Sequence, residues 1–407
     1  MSSEPKAMDI SVASDFWDHL PFDVRSETFR ADPYPFYERL RADGPVARLS
    51  EGLLVVTGYR ESMAVLSDPR FGFGSGSMES QSFLLVDPPE HRRLRAWVSA
   101  PFTVRAVERL RPTIGHKTHA LIQQAAGKGE VDVVADLGVP LSLDLICALV
   151  GVPLDARPQW HGALSWLTAG FDPEALRDRK TSEHVAWARL EFARYLKGLI
   201  QERRQAPGDD LVSVLAAPGP ERSTLTDSQI ITAIGQLVVA GYEPTVDLMA
   251  NGMYALLRHP QQLAYLREHP KEASAAVEEV MRYDPPFQVI SRLALSDGDI
   301  NGLDVAAGRV VWILTGAANR DPEVFADPHR LDVTRSPRHV SLGWGEHFCL
   351  GARLVRVQGQ AMLTALAQCH PVLTGEPVSY RPTLMRRGVE RLPVALTVQP
   401  DQEGSWS

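Results

Sequence analysis

Cys349 lies in Leu342-Gly-Trp-Gly-Glu-His-Phe-Cys-Leu-Gly351, where three glycines crowd one cysteine and a helix-spaced pattern follows at once. Leu350, Leu354, Val357 and Ala361 recur at helical spacing, with Arg353, Arg356 and Gln360 on the other side. A thiolate placed where a helix begins gains from the unpaired backbone N–H groups and the positive end of the helix dipole. Those N–H groups also donate to the sulfur and temper its charge. Gly343 and Gly345 let the preceding backbone turn sharply and approach a flat ligand closely. This geometry suits a cysteine that ligates haem iron, where electron donation from the thiolate favours O–O cleavage. Most single cysteines are small buried hydrophobes, so the glycine frame carries the argument. Zinc fits poorly, because tetrahedral sites need Cys or His partners and His347, two residues away, is a poor companion.

The segment resembles the haem-binding loop of the cytochrome P450 family, Phe-Gly-x-Gly-x-His-x-Cys-x-Gly. It matches at Gly343, Gly345, His347, Cys349 and Gly351, and departs at Leu342, where the family has a Phe beside the sulfur. That departure bears on redox tuning more than on ligation. The resemblance implies haem b (iron protoporphyrin IX) with Cys349 as its metal ligand and O2 as co-substrate. Haem carries two propionates, so cations are needed near its rim. The run Asp87-Pro-Pro-Glu-His-Arg-Arg-Leu-Arg95 resembles the family helix whose His and Arg grip a propionate, which implicates His91 and Arg95. Arg292 matches a third family contact and His347 a fourth; the arginine fork suits a carboxylate. From the residues alone, Asp87 reads as a helix cap, Pro88 as a first-turn residue and Glu90 as the closing member of a capping box. Glu279 and Arg282 share one helical face. They resemble the family's E-x-x-R pair, buried beneath the haem with a later arginine, here Arg330; these three are assigned to structure.

A long apolar run from Ile230, opened by the capping box Thr226-Asp-Ser-Gln229, leads into Ala240-Gly-Tyr-Glu-Pro-Thr245. The family writes this Ala-Gly-x-(Asp/Glu)-Thr-Thr, and its acid–alcohol pair relays protons to dioxygen. Glu243 matches the acid, but Pro244 stands where the alcohol belongs. A proline inside a helix withholds the N–H that would bond the Ala240 carbonyl and crowds that carbonyl, costing roughly 3 kcal/mol or more in a regular helix. Thr245 is a poor substitute, since one residue turns a side chain by about 100° unless a kink reduces the angle. Ala240, Gly241, Glu243, Pro244 and Thr245 are therefore the candidate catalytic residues. Either a substrate hydroxyl or bound water completes the relay, or the enzyme abstracts hydrogen and couples radicals without inserting oxygen.

These residues must be positioned by a large fold. The chain has 407 residues, and no linker or repeat divides it. One domain over 21–398 is expected, with a flexible segment at 1–20 and a polar tail at 399–407. Helical periodicity runs from about Glu90 to Tyr283. Ile300–Ile313 reads as a hairpin, and Leu392–Val398 as a strand. The class is mainly α with a minor β lobe, in agreement with the family's triangular helical prism; the resemblance spans about Asp32 to Leu396 and includes Ala318-Asn-Arg-Asp-Pro322. A net charge of −8 without a long basic run argues against nucleic acid. Three cysteines (Cys147, Cys349, Cys369) give no disulfide framework, which suits a cytoplasmic protein. No signal peptide is evident, and no stretch is judged to reach the roughly 18 to 20 apolar residues of a membrane span. A monomer is expected.

By resemblance, the substrate pocket draws on Phe83, at the end of a Gly- and Ser-rich loop from Phe71, and on roof helices from Trp160 to Phe171. Gln236, Val239 and Ala240 would line the central helix; Phe287, Gln288, Val289 and Ile290 one wall; Leu384 and Met385 the far end. Most are apolar, with Gln236 and Gln288 as orienting groups. This suits a medium-sized, largely apolar secondary metabolite, hydroxylated or epoxidised by a haem-thiolate monooxygenase. No flavin or nicotinamide fingerprint appears, so electrons are expected from a separate iron–sulfur ferredoxin and its ferredoxin reductase. Arg92, Arg93, Arg353 and Arg356 would steer that donor. The competing reading of another class is a haem-thiolate sensor or carrier without chemistry. Its argument is the missing alcohol; Glu243 and the apolar pocket stand against it.

Overall fold

Helical periodicity between Glu90 and Tyr283 becomes a succession of helices, among them Val104–Ala126, Val139–Val150, Arg179–Gln205, Asp227–Gly241, Glu243–Leu257 and Ala273–Tyr283. The computed structural model describes residues 20–50, 52–74, 83–153, 156–170, 172, 177–217, 225–375, 377–383 and 385–397. Residues 1–19, most of the Gly/Ser-rich loop, Phe171, Leu384 and the 399–407 tail lie outside the described residues.

The helix after the cysteine loop, Ala352–Gln368, buries Leu354, Val357, Met362, Leu363 and Leu366 and packs on Val104–Ala126, Glu243–Leu257 and Ala273–Tyr283. Those residues join the largest apolar cluster of the described fold. Packing is close: a Cβ on Gly252 would meet Val280 at 2.9 Å, so glycine there lets two helices approach. The β lobe is a five-stranded sheet in the order Val46–Arg48, Leu53–Val56, Val310–Leu314, Val289–Ala294, Phe71–Gly72. Its central pair, Leu53–Val56 with Val310–Leu314, is parallel. Tyr34, Tyr37 and Leu40 pack with the sheet residues Leu53, Val55, Trp312 and Leu314 in a second cluster.

Three expectations change here. The hairpin is tighter than Ile300–Ile313: Gly298–Ile300 pairs with Leu303–Val305 around Asn301 and Gly302, both at positive φ (52° and 77°). A two-residue turn with both residues left-handed matches the twist of the strands it joins, and Val310–Leu314 goes to the large sheet instead. The strand near the end is Pro393–Ala395, paired with Glu130–Asp132 and Val372–Leu373. One stretch does pass a length-and-apolarity test for a membrane span, Val133–Val150, with mean hydropathy 2.0. It is 61% buried inside the fold and contributes Leu137, Leu141 and Cys147 to the main cluster, as a core helix does.

Candidate active site

The cysteine loop is fixed by backbone bonds before the helix begins. Gly343 N–H donates to the Val340 carbonyl (2.9 Å), Phe348 N–H to Gly345 (3.1 Å) and Cys349 N–H to Leu342 (2.9 Å). Gly343 and Gly345 have φ of 68° and 70°, a region disfavoured for residues with a Cβ. The close approach at Gly345 is to protein rather than to a ligand: an added Cβ would lie 2.5 Å from the Leu66 carbonyl oxygen. Gly351 is the N-cap of the Ala352–Gln368 helix, and its N–H favours charge on the Cys349 sulfur. Burial pushes the Cys349 thiol up, while that N–H and the charges of Arg95 and Arg356 act in the opposite sense. Leu342 is half-buried against the main cluster.

Four expected propionate contacts converge beside this loop. Arg95 donates to the Phe348 carbonyl (2.6 Å), one residue before the cysteine. The His91 and His347 rings are 4.1 Å apart, Phe73 meets His347 edge-on at 4.9 Å, and Arg292 lies over Phe73 at 4.6 Å. His347 is pushed down to about 3 by burial and by the charges of Arg292, His91 and Arg95. Burial also lowers His91, with Arg95 adding to the effect. Burial lowers Arg292 to about 10, leaving it charged. Asp87 does not cap the following helix, whose N-cap is Pro89 with no side-chain bond. Its carboxylate instead accepts from the Phe73 and Gly74 N–H groups, and Glu90 pairs with Arg93.

This cluster fits a dianionic, flat group. Arg292 is only 4% exposed, yet among the described residues its hydrogen bond is to the Ser291 carbonyl and no carboxylate bonds it. His91 Nδ1 is buried without a partner. A buried guanidinium without an anionic partner and a buried ring nitrogen without a hydrogen-bond partner are costly; two propionates would relieve both.

Glu279 and Arg282 form the expected buried pair, with two bonds of 2.7 and 2.8 Å and no exposed side-chain surface. Arg282 also donates to the carbonyls of Asn319, Pro328 and Arg330. The third member of the set is Arg335, whose Nε lies 3.3 Å from Glu279 Oε1. Arg330 contributes only its carbonyl; its side chain is 62% exposed and reaches Asp332 at 3.7 Å. Three of the four arginines expected to steer an electron donor are in ion pairs: Arg92 with Glu346, Arg93 with Glu90 and Arg356 with Glu278. Arg353 is exposed, near Glu108. Although burial alone would raise Glu278, Arg356 and His339 hold it down at about 2.

The central helix does not carry its proline in the interior. Asp227–Gly241 ends at Tyr242 (φ −88°, ψ −83°), and Glu243–Leu257 begins anew with Pro244 in its first turn. The first turn needs no N–H from proline and accepts its fixed φ, so the cost of a proline inside a regular helix does not arise. The Thr245 hydroxyl donates to the Gly241 carbonyl at 2.8 Å, facing back along the helix. Glu243 is buried and bonds Arg386 (2.6 Å), which also bonds Asp247 (2.8 Å), itself bonded by Arg381 (2.6 Å). The sequence reading missed this cluster. Its one local signal is a lone carboxylate, Asp247, between Val246 and Leu248 in an apolar run.

The expected pocket residues divide. Gln236 Oε1 is buried with no partner, one turn before the half-buried Ala240, which suits an orienting group. Gln288 does not: Tyr37 and the Pro285 carbonyl take up its side chain. Val289 belongs to the cluster around Tyr37 and Trp312, whereas Ile290 lies on the opposite strand face, that of Arg292. Phe83 lines a cavity of about 10 Å³ with Trp97, Leu215 and Ile230. Val239 and Phe287 are half-buried. Met385 N–H bonds Asp172 (3.1 Å), and its carbonyl takes the Gln288 N–H.

Comparison with known proteins accords with this geometry. The Cytochrome P450 family profile matches residues 176–389. The biotin biosynthesis cytochrome P450 of Bacillus subtilis is 37% identical over 387 residues, covering 91% of this chain and 97% of that protein. The 6-deoxyerythronolide B hydroxylase of Saccharopolyspora erythraea is 36% identical over 404 residues, covering 92% and 98%. The crystal structure of P450BioI in complex with hexadec-9Z-enoic acid ligated acyl carrier protein superposes with a TM-score of 0.85 at 37% identity, covering 91% of this chain and 99% of that one. A glycine-framed cysteine beside an anion-seeking cluster, on a fold shared nearly end to end, makes this chain a member of the cytochrome P450 family of haem-thiolate oxidoreductases.

Proposed function

We propose that the protein is a haem b monooxygenase that uses O2 to hydroxylate or epoxidise a medium-sized, largely apolar metabolite, with a proton relay completed by substrate or bound water. Cys349 is the axial thiolate in this reading, and His91, Arg95, Arg292 and His347 hold the propionates. Haem bound there supplies thiolate-assisted oxygen activation. The protein's own share is positional and protic. The Gly351 N–H tempers the sulfur, and Arg95 ties the neighbouring Phe348 carbonyl to the propionate cluster. Glu243 holds a carboxylate at the helix break, bonded to Arg386.

The carrying observation is the combination at that break. Pro244 has no hydroxyl and no N–H for the Ala240 carbonyl, and the Thr245 hydroxyl is taken by Gly241. Glu243 is then the carboxylate at the break, and a substrate hydroxyl or a water on the Ala240 carbonyl bridges the gap. An apolar substrate is supported by the half-buried Val239 and Phe287 and by the hexadecenoyl chain in the P450BioI complex. Electrons come from a separate ferredoxin and its reductase.

Two steps test this. Candidate metabolites, including fatty acyl and macrolide compounds, are screened for a spin-state change in the absorption spectrum. Pro244→Thr is then assayed with the compound found. Retained product yield supports a substrate-built relay; strong loss to peroxide with unchanged regiochemistry overturns it. The missing alcohol also favours a second reading, oxidative coupling, and 18O2 labelling separates the two: the monooxygenase places label in product, the coupling enzyme does not.

A further inference from the structure

Glu243 and Asp247 stand four residues apart, one turn above the other at the start of one helix, a spacing that brings like charges face to face. Helix N-termini favour negative charge, but two buried carboxylates still need a cation between them. Arg386 supplies it through two different nitrogens: Nη2 reaches Glu243 Oε2 at 2.6 Å and Nη1 reaches Asp247 Oδ2 at 2.8 Å. The guanidinium is 3% exposed.

Arg386 is stitched in place from several sides. Its backbone bridges Phe287, the Arg387 N–H bonds the Pro286 carbonyl at 2.7 Å and the Met385 carbonyl accepts from Gln288 at 2.9 Å. Asp172 accepts the Met385 N–H and adds a third acid facing Arg386. The two shared carboxylates are held unequally. Asp247 is gripped by Arg381 as well, at 2.6 Å, and is 1% exposed. Glu243 has one hydrogen bond among the described residues and is 10% exposed.

Resting on the relay reading of Glu243, we propose that Arg386 is a positioning residue that pins Glu243 at the helix break, with Asp247 as its standing counter-ion, so that Glu243 can detach without leaving a buried cation unpaired. A carboxylate that moves protons must leave its partner at some point. An unshared buried arginine opposes that departure; a shared one does not. The planar fork is what permits the sharing, since a lysine ammonium is a point charge. Burial pushes the Asp247 carboxyl up to about 6, Arg386 and Arg381 oppose the rise, and Glu243 adds to it. Tyr242, at the break, also lies within reach of both acids' charges.

The test is a carboxyl-13C NMR titration of aspartate-labelled holoenzyme, with the Asp247 resonance assigned by Asp247→Asn. Glu243→Gln is expected to lower the Asp247 midpoint by about one unit, a tenfold change in proton affinity. Arg386→Gln is expected to raise it by a similar amount, and Arg386→Lys to recover part of that rise. A midpoint unmoved by Glu243→Gln, in a variant that binds haem normally, overturns the shared clamp. The relay reading fails separately: its sign is full turnover in Glu243→Gln, whatever the titration shows.

Discussion

Two buried glutamates face arginines in this molecule, and they are held in opposite ways. Glu279, on the cysteine side, receives two bonds from Arg282, one from the Asp332 N–H and the nearby charge of Arg335. Glu243, at the helix break, receives one bond from an arginine that is shared. The first arrangement engages both carboxylate oxygens and ties the helix to Asn319 and to the 328–335 segment; the second leaves a carboxylate able to exchange its partner. Buried charge thus serves as a rivet in one region and as a movable part in the other.

The contrast breaks most readily at the rivet. Arg282→Met strands Glu279 and three carbonyls, and an expected loss of about 3–5 kcal/mol is measured by chemical denaturation, together with poor haem incorporation. A loss below about 1 kcal/mol would erase the distinction. Acid sharpens it. Glu278 has its folded pKa depressed to about 2, so its contribution is present above the ordinary carboxylate range and is lost as pH falls toward 2. Asp247, raised to about 6, has the opposite sign: its contribution is present below the ordinary aspartate range and is lost as pH rises through about 6. Glu278→Gln is therefore expected to remove up to about 3 kcal/mol at neutral pH and to converge with the parent near pH 2. Asp247→Asn should flatten the decline between about pH 4 and 6; denaturation curves from about pH 2 to pH 7 read both.

At the movable site, the expected effect falls on rate rather than stability. Glu243→Gln should slow turnover about a hundredfold, a typical share for a positioned acid, while shifting stability by about 1 kcal/mol or less. A stability loss as large as that of Arg282→Met would show that Glu243 is another rivet. The smallest effect is expected from Arg353→Glu, which should slow reduction by ferredoxin a few-fold at low salt and not at high salt. Stopped-flow reduction at two ionic strengths checks this.

The rivet was largely legible in the sequence; at the movable site Glu243 was legible and its partners were not. Glu279 and Arg282 are three residues apart, and the cysteine loop is dense in glycines within ten residues, so local spacing carries both. Arg335 was missed for Arg330 because the path of an irregular segment, not a repeat, decides which side chain returns to Glu279. Asp247 and Arg386 lie 139 residues apart, and no periodicity links them. Pro244 shows a further limit: as letters it reads as a flaw inside a helix, while in the fold the helix stops at Tyr242 and starts again around it.

The central claim, that Cys349 carries the iron, is tested most directly by iron K-edge X-ray absorption of the holoprotein and of Cys349→Ser. The account requires one sulfur neighbour in the parent, absent from the variant. An iron shell of nitrogen and oxygen alone in the parent, or a sulfur neighbour that survives the substitution, would contradict it.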